Sequence, residues 1–162
     1  DSTYLDLTRS WTLWGWWYAD DLAANRPIAS KWDGAGPNEI ALSVELAATR
    51  WRLLVNGAGG NVVCEVTDPV PAAATWFFVV AGYDHNRDEL FVQINNTSET
   101  RTTLGGPLTH GADQFQLLGW SGAGESLLGR GAAFGLVKRV LTQSERDWLY
   151  NNGQGRDLKR GV

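Results

Sequence analysis

The chain has 162 residues, a formal net charge of −4 and a sequence pI near 5.1. That length accommodates one well-buried domain, and a single domain over residues 1–162 is expected. An acidic balance without a Lys/Arg cluster gives phosphate backbones nothing to bind, so nucleic acid is not an expected partner. The longest apolar run, WFFVVAG at residues 76–82, is far short of the ~20 residues that span a bilayer as a helix, so membrane insertion is not expected. One cysteine, Cys64, leaves no internal disulfide, and its setting among Val62, Val63 and Val66 predicts a buried small hydrophobe. The chain opens at Asp1 without Met or a leader-like stretch, so a processing boundary is expected there and no compartment is read from that end.

The first element is WTLWGWWYADD at residues 11–21. Strand side chains alternate between faces, so Trp11, Leu13, Gly15 and Trp17 point one way while Thr12, Trp14, Trp16 and Tyr18 point the other. Only one face can be an ordinary core. The second must be a layer under another element, a surface shared with a partner, or a ligand groove. After it, IASKW reads as a short strand flanked by Pro- and Gly-rich turns, and EIALSVELA as a half-buried strand with Ile40, Leu42, Val44 and Leu46 inward. TRWRLLVNGAGGNVVCEVTD reads as a hairpin turning at Asn56-Gly57 and Gly59-Gly60, dipeptides that reach positive φ at little cost. TWFFVVAGYD and ELFVQINN form two further strands joined across DHNRD. A loop follows over residues 102–113, then the strands QFQLLGW and AAFGLVKRV. Thr142 with Glu145 three residues on is a capping box, Trp148 and Leu149 supply a short apolar face, and Asn152-Gly153 offers a stop, which predicts one helix over residues 143–151. Many short strands without intervening helices predict an all-β, two-sheet antiparallel jelly-roll sandwich closed by that short C-terminal helix.

In order along the chain, SWTLWGWWY, IASKWD, EIALSVE, TWFFVVAGYDHNRDELFVQINN, FQLLG and FGLVKRVLTQSERDWLYNNGQG resemble the laminin G-like branch of the concanavalin A-like jelly rolls. The segment around Trp76 and the closing Leu-Thr, Glu, Leu-Tyr-Asn, Gly pattern carry most of the likeness. Asn95-Asn96 departs from it, where that family often has Asn-Gly. The resemblance implies two curved sheets with a convex and a concave face, sugar or protein binding, and in many members a calcium ion at one rim.

On that frame, Trp14, Trp16 and Tyr18 stand on an outward face, together with Arg50 and Arg52 if Trp51, Leu53 and Val55 are core, and with Phe91 and Gln93 if Leu90, Val92 and Ile94 are core. Flat aromatics beside planar polar groups suit a sugar, whose C–H-rich faces stack on rings while its hydroxyls take hydrogen bonds. They equally suit a protein interface. The bland alternative is a second small core, in which long loops or the C-terminal helix cover Trp14 and Trp16. Asp84, Asn86 and Asp88 alternate oxygen side chains as a hard cation such as calcium could use, without the Gly and closing Glu of an EF-hand loop. No cofactor is required by any motif. His85 and His110 sit in polar loops, far apart and without a triad or zinc partner. Glycoside hydrolysis needs two carboxylates facing one bond, and the acidic pairs, Asp20-Asp21 and Asp84 with Asp88-Glu89, read as solvated or capping groups. Two functions follow as expectations. One is a non-catalytic, lectin-like module holding a glycan on the concave face. The other is an assembly domain of a virion or bacterial surface, a decoration, fibre or tail module burying the same face against a neighbouring subunit, with a homo-oligomer among the expected partners. Both imply an extracellular, cell-surface or virion location.

Overall fold

Ten strands pair into two antiparallel sheets in the computed structural model, which describes residues 7–32, 39–45, 49–109, 113–119 and 128–155. In chain order the strands are β1 (Trp11–Ala19), β2 (Arg26–Lys31), β3 (Ile40–Glu45), β4 (Arg50–Gly57), β5 (Gly60–Val66), β6 (Trp76–Asp84), β7 (Glu89–Ile94), β8 (Thr100–Thr103), β9 (Phe115–Leu117) and β10 (Gly129–Val137). A helix, α1 (Gln143–Tyr150), and a 3₁₀ turn (Asn151–Gly153) close the described chain. One sheet has the order β10-β1-β6-β7-β8 and the other β5-β4-β3-β2-β9. This is the expected all-β, two-sheet antiparallel jelly-roll sandwich. No described helix is long and apolar enough to cross a membrane.

The alternation read from the sequence sets the core. Trp11, Leu13 and Trp17 of β1 meet Trp51, Leu53 and Val55 of β4, and Leu90, Val92 and Ile94 of β7, all buried between the sheets. Trp17 meets Trp51 edge-on at 5.2 Å between ring centroids, and Trp51 meets Phe77 at 4.9 Å. Such T-shaped contacts place the positive edge of one ring against the negative face of the next. Gly15 is required here because the Phe134 ring lies where its Cβ would be, 2.2 Å away. Cys64 is fully buried, its Sγ donates to the Thr100 carbonyl at 3.4 Å, and burial pushes the thiol up, away from reactivity.

Three features bear on the sequence expectation, and two of them, the strand β8 and the exposure of Trp148, differ from it. The four-residue edge strand β8 begins just before the segment expected to be loop and runs into it. Its sequence, TRTT, has no apolar alternation, and it forms by pairing with β7, Thr102 opposite Leu90 and Arg101 opposite Phe91. Asn95 and Asn96 take left-handed φ of 48° and 60°, conformations that asparagine tolerates, and Asn95 Oδ1 accepts the Phe78 amide at 2.8 Å. Helix α1 has the expected capping box, with Thr142 Oγ1 accepting from the Glu145 amide at 3.3 Å and Glu145 Oε2 from the Thr142 amide at 2.8 Å. It stops at a left-handed Asn151, and the face it buries is Arg146 and Leu149; Trp148 remains 52% exposed.

Leu149 and Leu141 close a second apolar cluster with Phe78, Val80 and Phe91, joined by Trp14, Trp16 and Tyr150, on the outer side of the β1 sheet. That sheet therefore carries packed side chains on both faces.

Candidate functional site

The outward residues of the β1 sheet form rows fixed by strand register. Arg130, Tyr18 and Trp76 make the first row, Ala132, Trp16 and Phe78 the second, and Gly135, Trp14, Val80 and Gln93 the third. Thr12 and Gly82 follow, with Phe91 beside them. Helix α1 is anchored at the far end. Thr12 Oγ1 donates to the Arg139 carbonyl at 2.8 Å and accepts the Leu141 amide at 3.1 Å. Arg146, 4% exposed, lies 4.8 Å over the Phe91 ring, donates to the Leu141 carbonyl at 3.1 Å and to Gln93 Oε1 at 3.3 Å, and pairs with Glu99. Gln93 also donates to the Thr97 carbonyl at 2.7 Å. Phe91 and Gln93 are thus buried members of the helix dock. Trp14 lies flat on Gly135, where a Cβ would come within 2.1 Å of its ring, and is half-buried beside α1.

Arg50 and Arg52 stand on the outer face of the other sheet, so the seven residues singled out in the sequence do not share a surface. There Arg50 spans Glu45 at 2.8 Å and Glu65 at 2.6 Å, while Arg52 reaches the same two carboxylates at 3.8 and 3.9 Å. The guanidinium of Arg50 holds the Glu45 carboxyl below the usual carboxylate range. The four charges balance within one cross-strand ladder.

Asp84, Asn86 and Asp88 share one loop, and the two carboxylates are occupied by protein groups. Asp84 accepts the Asn86 amide at 3.2 Å and faces Arg101 at 3.4 Å. Asp88 accepts the Tyr83 hydroxyl at 2.9 Å and the Gly105 and Gly106 amides at 3.0 Å each. Burial and the Asp88 bond push the Tyr83 phenol up to about 12. Glu89 faces Arg101 at 3.0 Å. Among the described residues no group of three or more His, Cys, Asp or Glu is placed to hold a metal. His85 is exposed beside Arg9; His110 lies outside the described residues.

Two hollows flank α1 on the β1 sheet. The first, about 400 Å³, is lined by Trp16, Trp76, Ala132, Ala133, Gly153, Gln154 and Gly155. A β-bulge builds its floor. Gly15 alone stands against Ala133 and Phe134, with Ala133 at φ 50°, so the consecutive residues Ala132 and Ala133 both line the hollow while Phe134 enters the core. Its far wall is the turn after α1, held by Asn151 Nδ2 donating to the Gly155 carbonyl at 2.7 Å. Gly155, at φ 66°, leaves room for the Trp16 indole, whose Nε1 would lie 2.8 Å from a Cβ there. Tyr150 stacks on Trp16 at 5.9 Å and Phe78 meets it at 5.4 Å. Trp76, 41% exposed, tilts against Tyr18 at 5.3 Å, and Arg130 lies 4.5 Å over the other ring of that pair, Tyr18. The second hollow, about 500 Å³, runs between α1 and β10 past Trp14, Val137, Leu141 and Trp148. Its charged residues are spent on each other, with Arg139 bidentate to Glu145 at 2.7 and 2.6 Å.

Trp76 was legible as a site residue and was missed. If Phe77, Val79 and Ala81 are core, period-two alternation puts Trp76 outward beside Tyr18. Ala132, Ala133 and the glycine turn carry no such signal, because a bulge and a left-handed turn create their placement.

No family model and no curated protein matches the chain. Solved structures share its fold at low identity. The Ruminococcus gnavus IT-sialidase CBM40 bound to α2,3-sialyllactose superposes with a TM-score of 0.72 at 14% identity, covering 88% of this chain and 83% of that one. A putative carbohydrate-binding protein from Bacteroides ovatus gives 0.70 at 14%, with 97% of this chain on 44% of that one. Domains LG4-5 of the mouse laminin α1 chain give 0.62 at 11%, with 79% on 35%. These likenesses fix the fold.

Proposed function

We propose that the chain is a non-catalytic carbohydrate-binding module, and that its contact surface is the open end of the β1 sheet around Trp76, Tyr18 and the free edge of Trp16. The observation that carries this reading is the open hollow bounded by two indoles, with Gln154 and a rigid glycine turn as its polar wall. A pyranose ring needs that combination: an apolar plane to cover and a few fixed polar groups to orient it. The volume lies within the range of small-ligand sites, roughly 300–1,000 Å³. The α2,3-sialyllactose bound to the R. gnavus module, and the description of the B. ovatus protein as a putative carbohydrate-binding one, support the reading by analogy of fold. A glycan array probed with the wild type and with Trp76→Ala tests it. Glycan signals that the variant loses, at unchanged melting temperature, are expected; no glycan signal for the wild type refutes it.

A second reading, an assembly domain of a virion or cell surface, is favoured by one observation. Trp148 is 52% exposed beside an apolar hollow whose charges are already paired. Light scattering separates the two. A monomer is expected for the binding module, and a larger particle that Trp148→Ala dissociates would favour assembly.

A further inference from the structure

We infer that the Trp16–Trp76 hollow takes an uncharged pyranoside of one or two rings, an inference that rests on the carbohydrate reading and narrows it. The lining is Trp16, Trp76, Ala132, Ala133, Gly153, Gln154 and Gly155, without an ionisable side chain. A carboxylate or sulfate drawn into such a hollow loses hydration and meets no cation among the described lining residues, and an unpaired charge taken out of water is costly. The cation of the neighbouring row, Arg130, lies over the Tyr18 ring with Asp20 3.7 Å away and is not among the residues that line the hollow. A neutral sugar meets no such penalty. Its C–H face covers the exposed indole of Trp76, and its hydroxyls are served by the Gln154 amide, which both donates and accepts. Size points the same way. About 400 Å³ of space holds one or two hexose rings, and the walls cannot widen easily, since the Asn151–Gly155 bond and the Tyr150 stack fix one side and the bulge fixes the other.

The bulge also explains why the floor is alanine. Two consecutive side chains face the hollow there, and anything larger than a methyl at Ala132, which is exposed, would occupy the ligand's space. Ala132 is thereby a specificity-determining position.

The test is titration calorimetry of the full chain with matched probes: lactose, cellobiose, maltose and N,N′-diacetylchitobiose, beside α2,3-sialyllactose and glucuronate-containing disaccharides, each at low and high salt. Binding to at least one neutral probe is expected, unchanged by salt, and weakened at least about tenfold by Trp76→Ala and severalfold by Gln154→Ala, in line with truncation of a central aromatic contact against a peripheral polar one. Ala132→Trp is expected to abolish it. Thermal melting of each variant confirms the fold. Binding confined to the acidic probes, or neutral binding that salt weakens, overturns the uncharged-ligand inference and leaves the carbohydrate reading intact. Neutral binding that survives Trp76→Ala and Ala132→Trp overturns the assignment to this hollow. No binding by any glycan overturns both.

Discussion

Arg146→Met isolates what holds α1 against the β1 sheet. Arg146 is 4% exposed and serves four groups: the Leu141 carbonyl, Gln93 Oε1, the Glu99 carboxylate and the face of Phe91. Methionine matches its length and apolar stem, so little packing is lost and the effect reports the guanidinium. Removing one member of a buried ion pair costs about 3–5 kcal/mol because the partner charge is stranded. Here Glu99 keeps the Arg101 Nε at 2.5 Å and is 19% exposed, which argues for the lower end, about 3 kcal/mol. For a chain of this length each kcal/mol moves the melting temperature by about 2–4 °C, so the loss is about 6–12 °C. Arg146→Lys is expected to restore only part of it, since an ammonium cannot reach a carbonyl, an amide and a carboxylate at fixed angles together. The assay is thermal melting followed by near-ultraviolet circular dichroism, which reads the tryptophans that α1 covers. An Arg146→Met variant melting within about 2 °C of wild type would refute the claim that this side chain docks the helix.

Trp17→Ala, in the core against Trp51, is expected to cost about 3–5 kcal/mol, while Trp16→Ala, half-buried under Tyr150, costs about 2–3 and exposed Trp148→Ala under about 1; chemical denaturation of the three gives the order, and equal losses would sink it. Thr142→Ala should cost about 1 kcal/mol through the unpaired amides of the first turn, read from the same curves. The Glu145 carboxyl is held down at about 2 by Arg139 and the Thr142 amide, against an ordinary 4.5. Its contribution is full above the unfolded value and lost as pH falls through about 2, so Glu145→Gln should flatten the acid limb of the stability curve. Tyr83, pushed up to about 12 by burial and Asp88, contributes fully below its unfolded value of 10 and loses that contribution as pH rises through about 12. Tyr83→Phe should flatten the alkaline limb, with late phenolate absorbance missing from its titration.

Most of the architecture was legible because period-two patterns carry it. β1, β4 and β7 each carry a period-two inward set, and the sets Trp11, Leu13 and Trp17, Trp51, Leu53 and Val55, and Leu90, Val92 and Ile94 are the ones buried between the sheets. β6 is instead a continuous apolar run buried on both faces. β8 was not legible, since an edge strand of Thr and Arg depends on β7 for its existence and has no apolar face of its own. The helix face follows expectation at Leu149, which is buried, and departs from it at Trp148 for a related reason. Hydrophobicity singles out Trp148, but the sheet offers α1 a carboxylate, an amide and a ring beside its apolar ground, and Arg146 satisfies all of them where an indole could not. The candidate site suffered from a different ambiguity. Alternation tells which side chains leave the core but not which sheet a strand joins, so outward residues of β1, β4 and β7 look like one surface from the sequence. β4 belongs to the opposite sheet, and Arg50 and Arg52 lie across the sandwich from Trp14 and Trp16.

The question posed by tryptophans on both faces of β1 resolves through lengths. Outward positions Thr12, Trp14, Trp16 and Tyr18 are two residues apart, so the four rows span about 20 Å along the strand. An eight-residue helix is about 12 Å long, and even laid along the strands it roofs only part of that span. The bonds of Thr12 to Arg139 and Leu141 fix its covered end at the Thr12 side. Beyond Tyr150 the chain passes through left-handed Asn151 and Asn152 into Gly153 and Gly155, turning aside so that it walls the remaining rows instead of roofing them. The same aromatic strip is therefore a second core at one end, where Phe91, Gln93 and Trp14 are committed to the helix, and an open indole-lined hollow at the other, where Trp76 and Tyr18 are not.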